Sequence, residues 1–587
     1  MDNLSLYREL ERLLRMDSRW CTEDGVLMRN AVVEAALAVD PGLVGLLMGH
    51  DGLRRNFFTE VGGVMVFDKV RFQRFVSSKS FLPNSYTAYK NTTVELAIDD
   101  GSSVAAGREV VLAWPHKDCL LEGGQTREEA RRQETFWSEV LAPDDINRLT
   151  EPKVLTAWQR HDSSGAHAVD AISPNDNLII KGNNLLALHS LKRIYGGRVK
   201  LIYIDPPFNT GNDSFGYNDS FKHSTWLTFM RNRLMVAKEL LAETGNIFIH
   251  IDINESHYLK VLCDEVFGRD NFVEEIIWAY GSPSGGRAAT PKPVNIHDYI
   301  LHYAKEYKLR KQNKVYVPYT DKYINDWFKY VDEDGRRYQR RMRGRDADGE
   351  PIWVKQYLDE SKGVPLSTVW TDIQQVYADP RAYKDGVKAD VEVIKEFKGG
   401  QKPEALLARI IEMATDEGDL VLDFHLGTGT TVAVAHKMKR QYIGVEQMES
   451  QIEIIKRRLA NVINGDSAGV SKKYGWQGGG SFVYCELASL NQRFVDEVIR
   501  AERHDQLHDI WERMQQTGFL SWNVKLDEIN ANAKGFDELC VDDAKRFLIE
   551  CLDKNLLYVP LSEIGNAEHG ITDEDKRLNN QFYSSRR

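Results

Sequence analysis

Asp205-Pro-Pro-Phe208 stands directly after the apolar run Leu201-Ile-Tyr-Ile204. Two consecutive prolines can neither continue a strand ladder nor enter a helix interior, so the backbone is fixed and open at a strand end. A carboxylate, backbone carbonyls and an aromatic ring then lie side by side. That set suits the methylation of an exocyclic amine. The lone pair of adenine N6 is delocalised into its ring, which makes the amine a poor nucleophile. Asp205 and the carbonyl of Pro206 can each accept one N–H, aiming the lone pair and stabilising positive charge as it builds on nitrogen. Phe208 can stack on a base that has left the duplex. No covalent intermediate and no metal is required, and the rest of the rate must come from positioning. The plainer alternative is a rigid strand-ending turn with a surface Asp.

A second group is Asp423-Phe-His-Leu-Gly-Thr-Gly-Thr-Thr431. Gly427 and Gly429 let the backbone approach a ligand closely, and the N-terminus of a following helix favours a carboxylate or other polar group. Glu446 ends the next apolar run, 17 residues after Gly429, where a carboxylate can accept from two ribose hydroxyls. Val432 occupies the third glycine position of a dinucleotide fingerprint, and there is no phosphate-loop motif. A nucleoside ligand without a pyrophosphate remains, and S-adenosylmethionine fits. A tight strand-to-helix turn is the alternative for this loop taken alone.

Both groups need a frame. From about residue 176 the chain alternates between strand and helix patterns. Strands are expected at Leu201–Asp205, Asn246–Asp252, Asp419–Asp423 and Gln441–Glu446. A helix is expected over Ser224–Leu241, with Ser224 as N-cap, Leu227, Met230, Leu234 and Leu241 on one face and Gly245 beyond its end. Further helices are expected over Ser256–Phe267 and Pro403–Thr415. Strand–helix–strand units predict an α/β fold with a mostly parallel sheet covered on both faces. Both motifs then sit at the C-terminal ends of strands in one sheet, the edge where open α/β sheets bind ligands.

The wording of the motifs carries a resemblance. The stretch from Leu201 to Met235, VLDFHLGTGTT and QYIGVEQM resemble amino-methyltransferases acting on DNA adenine, in the permuted β-class order with the catalytic motif first. The wider text, including Asp118–Gln125 and the C-terminal region, resembles the modification (Mod) subunits of type III restriction–modification systems. The resemblance implies a Rossmann-like methyltransferase core with a target-recognition insertion and helical additions. It implies catalytic roles for Asp205, Pro206, Pro207 and Phe208. It implies cofactor contacts for Asp423, Phe424, His425, Gly427, Gly429, Thr430 and Glu446, and for Lys402, which with Pro403 matches the short motif before the cofactor loop. Many relatives have Tyr where Phe208 stands, so stacking survives and a hydroxyl contact is lost. His425 stands where the general pattern has Phe. Asp rather than Ser at the head of the tetrapeptide favours adenine N6 over cytosine N4. The implied partners are double-stranded DNA, a second Mod copy and a restriction (Res) helicase–nuclease subunit.

On this reading residues 1–175 form an N-terminal region for dimer, partner or DNA contacts. Residues 176–285 are the catalytic half of the core, 286–400 the target-recognition insertion, 401–465 the cofactor half and 466–587 a mainly helical C-terminal region. Residues 305–345 carry 13 Lys or Arg against 6 Asp or Glu, with six tyrosines interleaved. Basic residues with aromatics suit phosphates and unstacked bases. Arg336, Arg337, Arg340, Arg341, Arg343 and Arg345 are the DNA-binding candidates, and a solvated surface loop is the alternative. Asn183, Asn184, His250, Asp252, Asn212, Asp213 and Ser214 are weaker candidates for bordering the site.

The composition agrees with a folded enzyme. The 587 residues are 42% apolar and 28% charged, with a formal net charge of −11. The acidic balance argues against a chain coated in positive charge but leaves room for a local basic groove. The six cysteines form no C-x-x-C pair, which disfavours zinc ribbons and fits a reducing cytoplasm. No apolar run reaches a membrane span, and the acidic, amphipathic N-terminus does not read as a signal peptide. The expected function is site-specific transfer of methyl from S-adenosylmethionine to a flipped adenine. The rival expectations are a DNA-specificity scaffold of a nuclease complex with little activity of its own, and an RNA or protein amino-methyltransferase.

Overall fold

The computed structural model describes residues 3–21, 27–76, 95–97, 111–113, 149–210, 221–281, 293–376, 401–521, 524, 526, 529, 533–553 and 556–584. Asn212, Asp213, Ser214 and Asp118–Gln125 lie outside the described residues.

Eleven strands build one sheet, and three more form a small sheet inside the insertion. In chain order they are β1 (Leu155–Asp162), β2 (Gly165–Ala168), β3 (Leu178–Lys181), β4 (Val199–Ile204), β5 (Leu241–Ile251), β6 (Phe272–Ala279), β7 (His297–Ala304), β8 (Tyr330–Val331), β9 (Arg337–Arg345), β10 (Pro351–Tyr357), β11 (Val369–Trp370), β12 (Leu420–Asp423), β13 (Gln441–Glu446) and β14 (Phe482–Leu487). The main sheet runs β11-β6-β7-β5-β4-β12-β13-β3-β14-β1-β2. Its six central strands, from β5 to β14, pair in parallel. Its flanks add antiparallel pairs.

The central strands are short unbroken apolar runs, as strands buried on both faces must be. Period-two alternation divides their side chains. Ile202 and Ile204 point to one core cluster, Leu201 and Tyr203 to the other. Helices α1 (Asn184–Tyr195), α2 (His223–Leu240) and α3 (Ser256–Phe267) cover the first face. Helices α4 (Glu404–Ala414), α5 (Thr430–Lys437) and α6 (Glu449–Ile463) cover the second.

Several elements depart from expectation. Helix α2 begins one residue earlier, at His223, with Lys222 at its N-cap and no side-chain cap. The Ser224 carbonyl instead accepts from the Thr228 hydroxyl, inside the helix. Strand β5 starts at Leu241, directly after the helix and ahead of Gly245. The main sheet also exceeds the 176–465 core. It takes β1 and β2 from the N-terminal side and β14 from the C-terminal side. It takes β7 and β11 from the span expected to be insertion. Of these, β1, β2, β7 and β11 escaped pattern reading because they are short or lie in a mixed polar background. The last helix, Asp573–Ser584, docks on β1, where the Asn579 side chain accepts from Leu155 N at 2.9 Å and donates to its carbonyl at 2.6 Å. Residues 6–76 hold a separate apolar cluster of their own.

One buried charge ties the cofactor half together. Lys437 of α5 is fully enclosed. Its Nζ lies 3.0 Å from both Glu404 oxygens, from Asp466 Oδ1 and from the Ala468 carbonyl. Lys437→Met leaves two carboxylates without their counter-charge, so stability falls by about 3–5 kcal/mol. A thermal melt checks this, and an unchanged midpoint contradicts it.

Candidate active site

Strands β4 and β12 are immediate neighbours, with Leu201 opposite Val421 and Ile202 opposite Leu422. The proline corner follows β4 and the glycine loop follows β12. Two motifs more than 200 residues apart in the chain therefore open at the same edge of the sheet, side by side. Residues expected to act together are brought together.

At the corner, Asp205 Oδ2 meets Lys402 Nζ at 2.9 Å. Its Oδ1 is buried and has no hydrogen-bond partner among the described residues. Lys402, expected as a cofactor contact, thus sits on the Asp205 carboxylate, and its ammonium also lies 4.8 Å from the Phe208 ring. Phe208 stacks on His250, with centroids 5.8 Å apart and planes 19° from parallel. His250 is held by both nitrogens: Nδ1 to the Tyr203 hydroxyl at 3.1 Å and Nε2 to Asp298 at 3.0 Å. Burial, together with the charge of Lys402, pulls the imidazole pKa down. A neutral ring donating to Asp298 and accepting from Tyr203 satisfies all three groups. Trp226 of α2 donates its indole N–H to the Pro207 carbonyl at 2.8 Å, fastening the corner from the far side.

The glycine loop is built around two buried carboxylates. Asp423 accepts from His425 N at 3.0 Å and from the Thr431 hydroxyl at 2.6 Å. Burial pushes its pKa up to about 7, against the pull of those two hydrogen bonds. Asp423 therefore ties the ends of the loop rather than facing outward. Glu446 accepts from Gly427 N through one oxygen and from Gln447 N and Met448 N through the other, each at 2.9 Å. The carboxylate expected on a ribose fixes the glycine loop through its backbone. Gly427 has φ 54°, and a Cβ there would meet nothing within 4 Å, so the loop opens onto free space at that residue. Gly429, φ 78°, caps α5. Arg458 of α6 supports the loop from below, bonding the Thr428 carbonyl at 3.1 Å and the Thr430 hydroxyl at 2.9 Å.

The wall between corner and loop comes from α1 and α2. Asn183 caps α1. Asn184 donates to the Phe424 carbonyl at 2.8 Å, lies 3.5 Å from His425 Nε2, and accepts from buried Arg233 at 2.7 Å. Burial drives the His425 pKa down to about 3, so this ring is neutral. It packs against Phe229 and Phe424.

Sequence reasoning missed Glu255, whose side chain is completely buried. Its Oε1 accepts from Asn209 Nδ2 at 2.6 Å and contacts His223 Nδ1 at 2.7 Å, while Oε2 has no partner among the described residues. Burial raises its pKa despite those two contacts. Asn209 follows Phe208 at φ 59°, a left-handed conformation that needs outside support. Glu255 supplies that support and joins the corner to the start of α2. Glu255→Ala is expected to lower kcat about 10-fold or more by misplacing the corner, with cofactor affinity unchanged. Equal kcat in wild type and variant contradicts the role. No local signal marks Glu255, because its partners lie 32 and 46 residues away.

In the insertion the arginine candidates divide. Arg336 is occupied by Asp359 and Glu360. Arg337 bonds the carbonyls of Phe328 and Ile324, and Arg345 that of Gly349. These three shape the small sheet. Arg340 stands over Tyr330 at 4.8 Å, while Arg341 and Arg343 are exposed.

Comparison with known proteins agrees with this geometry. The DNA methylase family matches residues 199–457, from the first residue of β4 into α6. The family described as type III restriction/modification enzyme methylation subunit matches residues 40–93. A probable type III restriction–modification enzyme HindVI Mod subunit from Haemophilus influenzae is 33% identical, over 98% of both chains. The chain belongs to the type III Mod subunits. Two further Mod subunits match a smaller part of the chain. The StyLTI Mod subunit of Salmonella typhimurium is 30% identical over 43% of this chain and 49% of its own. The EcoP15I Mod subunit of Escherichia coli is 30% identical over 39% of each. As a Mod subunit the protein is a DNA methyltransferase of a restriction–modification system, with its corner and glycine loop both inside the DNA methylase match.

Proposed function

We propose that this Mod subunit methylates N6 of an adenine flipped out of duplex DNA, with S-adenosylmethionine as donor. The observation that carries the reading is the free Oδ1 of Asp205 at a strand end directly beside the glycine loop. The site residues fit the donor. The loop is open at Gly427, and Glu446 and Asp423 hold its backbone for a nucleoside. When bound, S-adenosylmethionine supplies a methyl group on a good leaving group. The chain's own residues do the rest. Asp205 Oδ1 accepts one N–H of the amine and the Pro206 carbonyl the other, which directs the lone pair outward and stabilises the developing charge. Lys402 holds the opposite oxygen of Asp205 so that Oδ1 keeps its aim. Phe208, fixed by His250, offers a stacking face for the base. Asp at the head of the tetrapeptide favours adenine over cytosine N4.

The same reading assigns target recognition to the insertion, with Arg340, Arg341 and Arg343 exposed and without a carboxylate partner among the described residues. It includes a homodimer, association with a Res subunit, and a cytoplasmic location. Among the described residues no single helix is long and apolar enough to cross a membrane. The test incubates the purified protein with unmethylated genomic DNA and labelled S-adenosylmethionine, then maps modified bases by single-molecule sequencing. N6-methyladenine at one short non-palindromic site, on one strand, is expected. N4-methylcytosine overturns the base assignment, and DNA without label overturns the catalytic reading in favour of a specificity scaffold or a non-DNA substrate.

A further inference from the structure

One face of the small sheet is built in a way that disfavours the free protein. Strands β9 and β10 pair antiparallel, with Tyr338 opposite Tyr357, Arg340 opposite Lys355 and Met342 opposite Trp353. Residues two apart along a strand share a face. These three pairs therefore form one continuous ladder from root to tip. The root is aromatic and covered. Tyr330 of β8 stacks on Tyr338 at 5.5 Å, and Lys355 lies over the Tyr338 ring at 4.8 Å.

The middle pair sets two cations directly across from each other, which destabilises a hairpin. Neither Arg340 nor Lys355 pairs with a carboxylate among the described residues. The tip pair sets a Met at 54% exposure against a Trp at 58% exposure. Directly beyond it the ladder is broken by a bulge before Arg345. A like-charge pair next to an uncovered apolar pair becomes favourable only when an anion spans the cations and a flat apolar surface meets the tip. Duplex DNA offers both, as phosphates alongside sugars and base edges.

We infer that this ladder is a DNA-contacting ridge, in which Arg340 and Lys355 clamp the phosphate backbone and Trp353 with Met342 packs into the adjacent groove. The inference rests on the reading of the chain as a DNA methyltransferase. It goes beyond that reading in adding Lys355, Trp353 and Met342, and in giving the tip pair a packing role that charge alone does not predict. The opposite face of the same strands looks different. Gln339 and Gln356 are bonded to each other at 3.1 Å, and Arg341 stands opposite Val354. The cation pair and the apolar pair occur together on one face.

The test measures binding of the full chain to a short mixed-sequence duplex by fluorescence anisotropy across a salt series, alongside thermal melts and methyl transfer. For Arg340→Thr and Lys355→Thr, each loses one phosphate contact, so the slope of log affinity against log salt falls in magnitude by about 1. Each melts at the wild-type temperature or above, because the like-charge pair is relieved. Trp353→Ala weakens binding about tenfold or more with little change in salt slope. Variants that melt lower yet bind DNA with unchanged affinity and slope overturn the inference, because the cations then serve only to cover the tyrosines. A change in oligomeric state on Trp353→Ala with DNA binding intact also overturns it, making the ridge an interface between copies. If wild type binds the duplex through this ridge but transfers no methyl group, the catalytic reading fails and the ridge stands. Normal transfer with all three variants binding like wild type defeats the ridge alone.

Discussion

Asp205→Ala lowers methyl transfer to DNA by about 10³-fold or more, the scale seen when a group stabilising developing charge is removed. Two effects combine. The buried Oδ1 proposed to accept the amine N–H is lost, and Lys402 loses the carboxylate it contacts at 2.9 Å. Asp205→Asn is the sharper variant. Lys402 draws the amide oxygen to itself, which turns the amide NH2 toward the substrate amine, donor against donor. Its activity is therefore expected to fall nearly as far as that of the Ala variant. Neither change removes core packing, so thermal melting and duplex binding remain near wild type. Single-turnover transfer of labelled methyl, measured beside anisotropy, reads both quantities. Activity within about tenfold of wild type would remove Asp205 from the chemistry. Loss of DNA binding together with transfer would mean that specificity and catalysis are not separable at this corner.

Glu446→Ala carries the second large effect, on the cofactor. One carboxylate holds three backbone N–H groups: Gly427 in the loop, and Gln447 and Met448 at the turn after β13. Hydrogen bonds to a charged group contribute about 1.5–3 kcal/mol each, and buried donors left unpaired cost a comparable amount. The open conformation of Gly427 then loses its anchor. S-adenosylmethionine affinity falls about 100-fold or more, equivalent to about 2.7 kcal/mol. Glu446→Gln is not a rescue. Its NH2 must face either Gly427 N or the Gln447 and Met448 pair, which sets donor against donor on one side. Calorimetric titration with S-adenosylmethionine checks both variants, and duplex binding serves as the control that the chain is folded. Affinity unchanged in Glu446→Gln would show that the loop keeps its shape without the charge.

Much of this site is legible in the sequence alone. Asp205-Pro-Pro-Phe208 and the Gly427–Gly429 loop are local devices. Their backbone behaviour follows from proline and glycine themselves, so a few adjacent residues suffice to announce them. The apolar runs of β4, β12 and β13 are likewise self-contained signals, as are α3 and α4, whose observed ends lie within one residue of expectation. The insertion was legible only as composition. Its basic, tyrosine-rich text hid a three-stranded sheet, because a strand such as RYQRRMRGR satisfies neither the helical nor the apolar strand pattern. Arg336, Arg337 and Arg345 looked the same as Arg340, Arg341 and Arg343 until their partners were placed.

The sequence by itself determined the chemistry on offer: a rigid carboxylate corner, a glycine loop for a nucleoside, and a basic segment between them. These properties belong to residues within a few positions of one another, and short-range sterics and charge enforce them. The tertiary structure alone decided who acts on whom. It set β4 beside β12, so that two distant motifs share one edge. It moved Lys402 onto Asp205, gave Phe208 a stacking partner in His250, and placed Glu255 beneath Asn209. It also made Glu446 a support of the glycine loop. Each of these contacts joins residues separated by about 20 to 220 positions. Only the burial of the whole sheet repays the entropy of closing such loops, so no stretch of chain short enough to read as a motif encodes them.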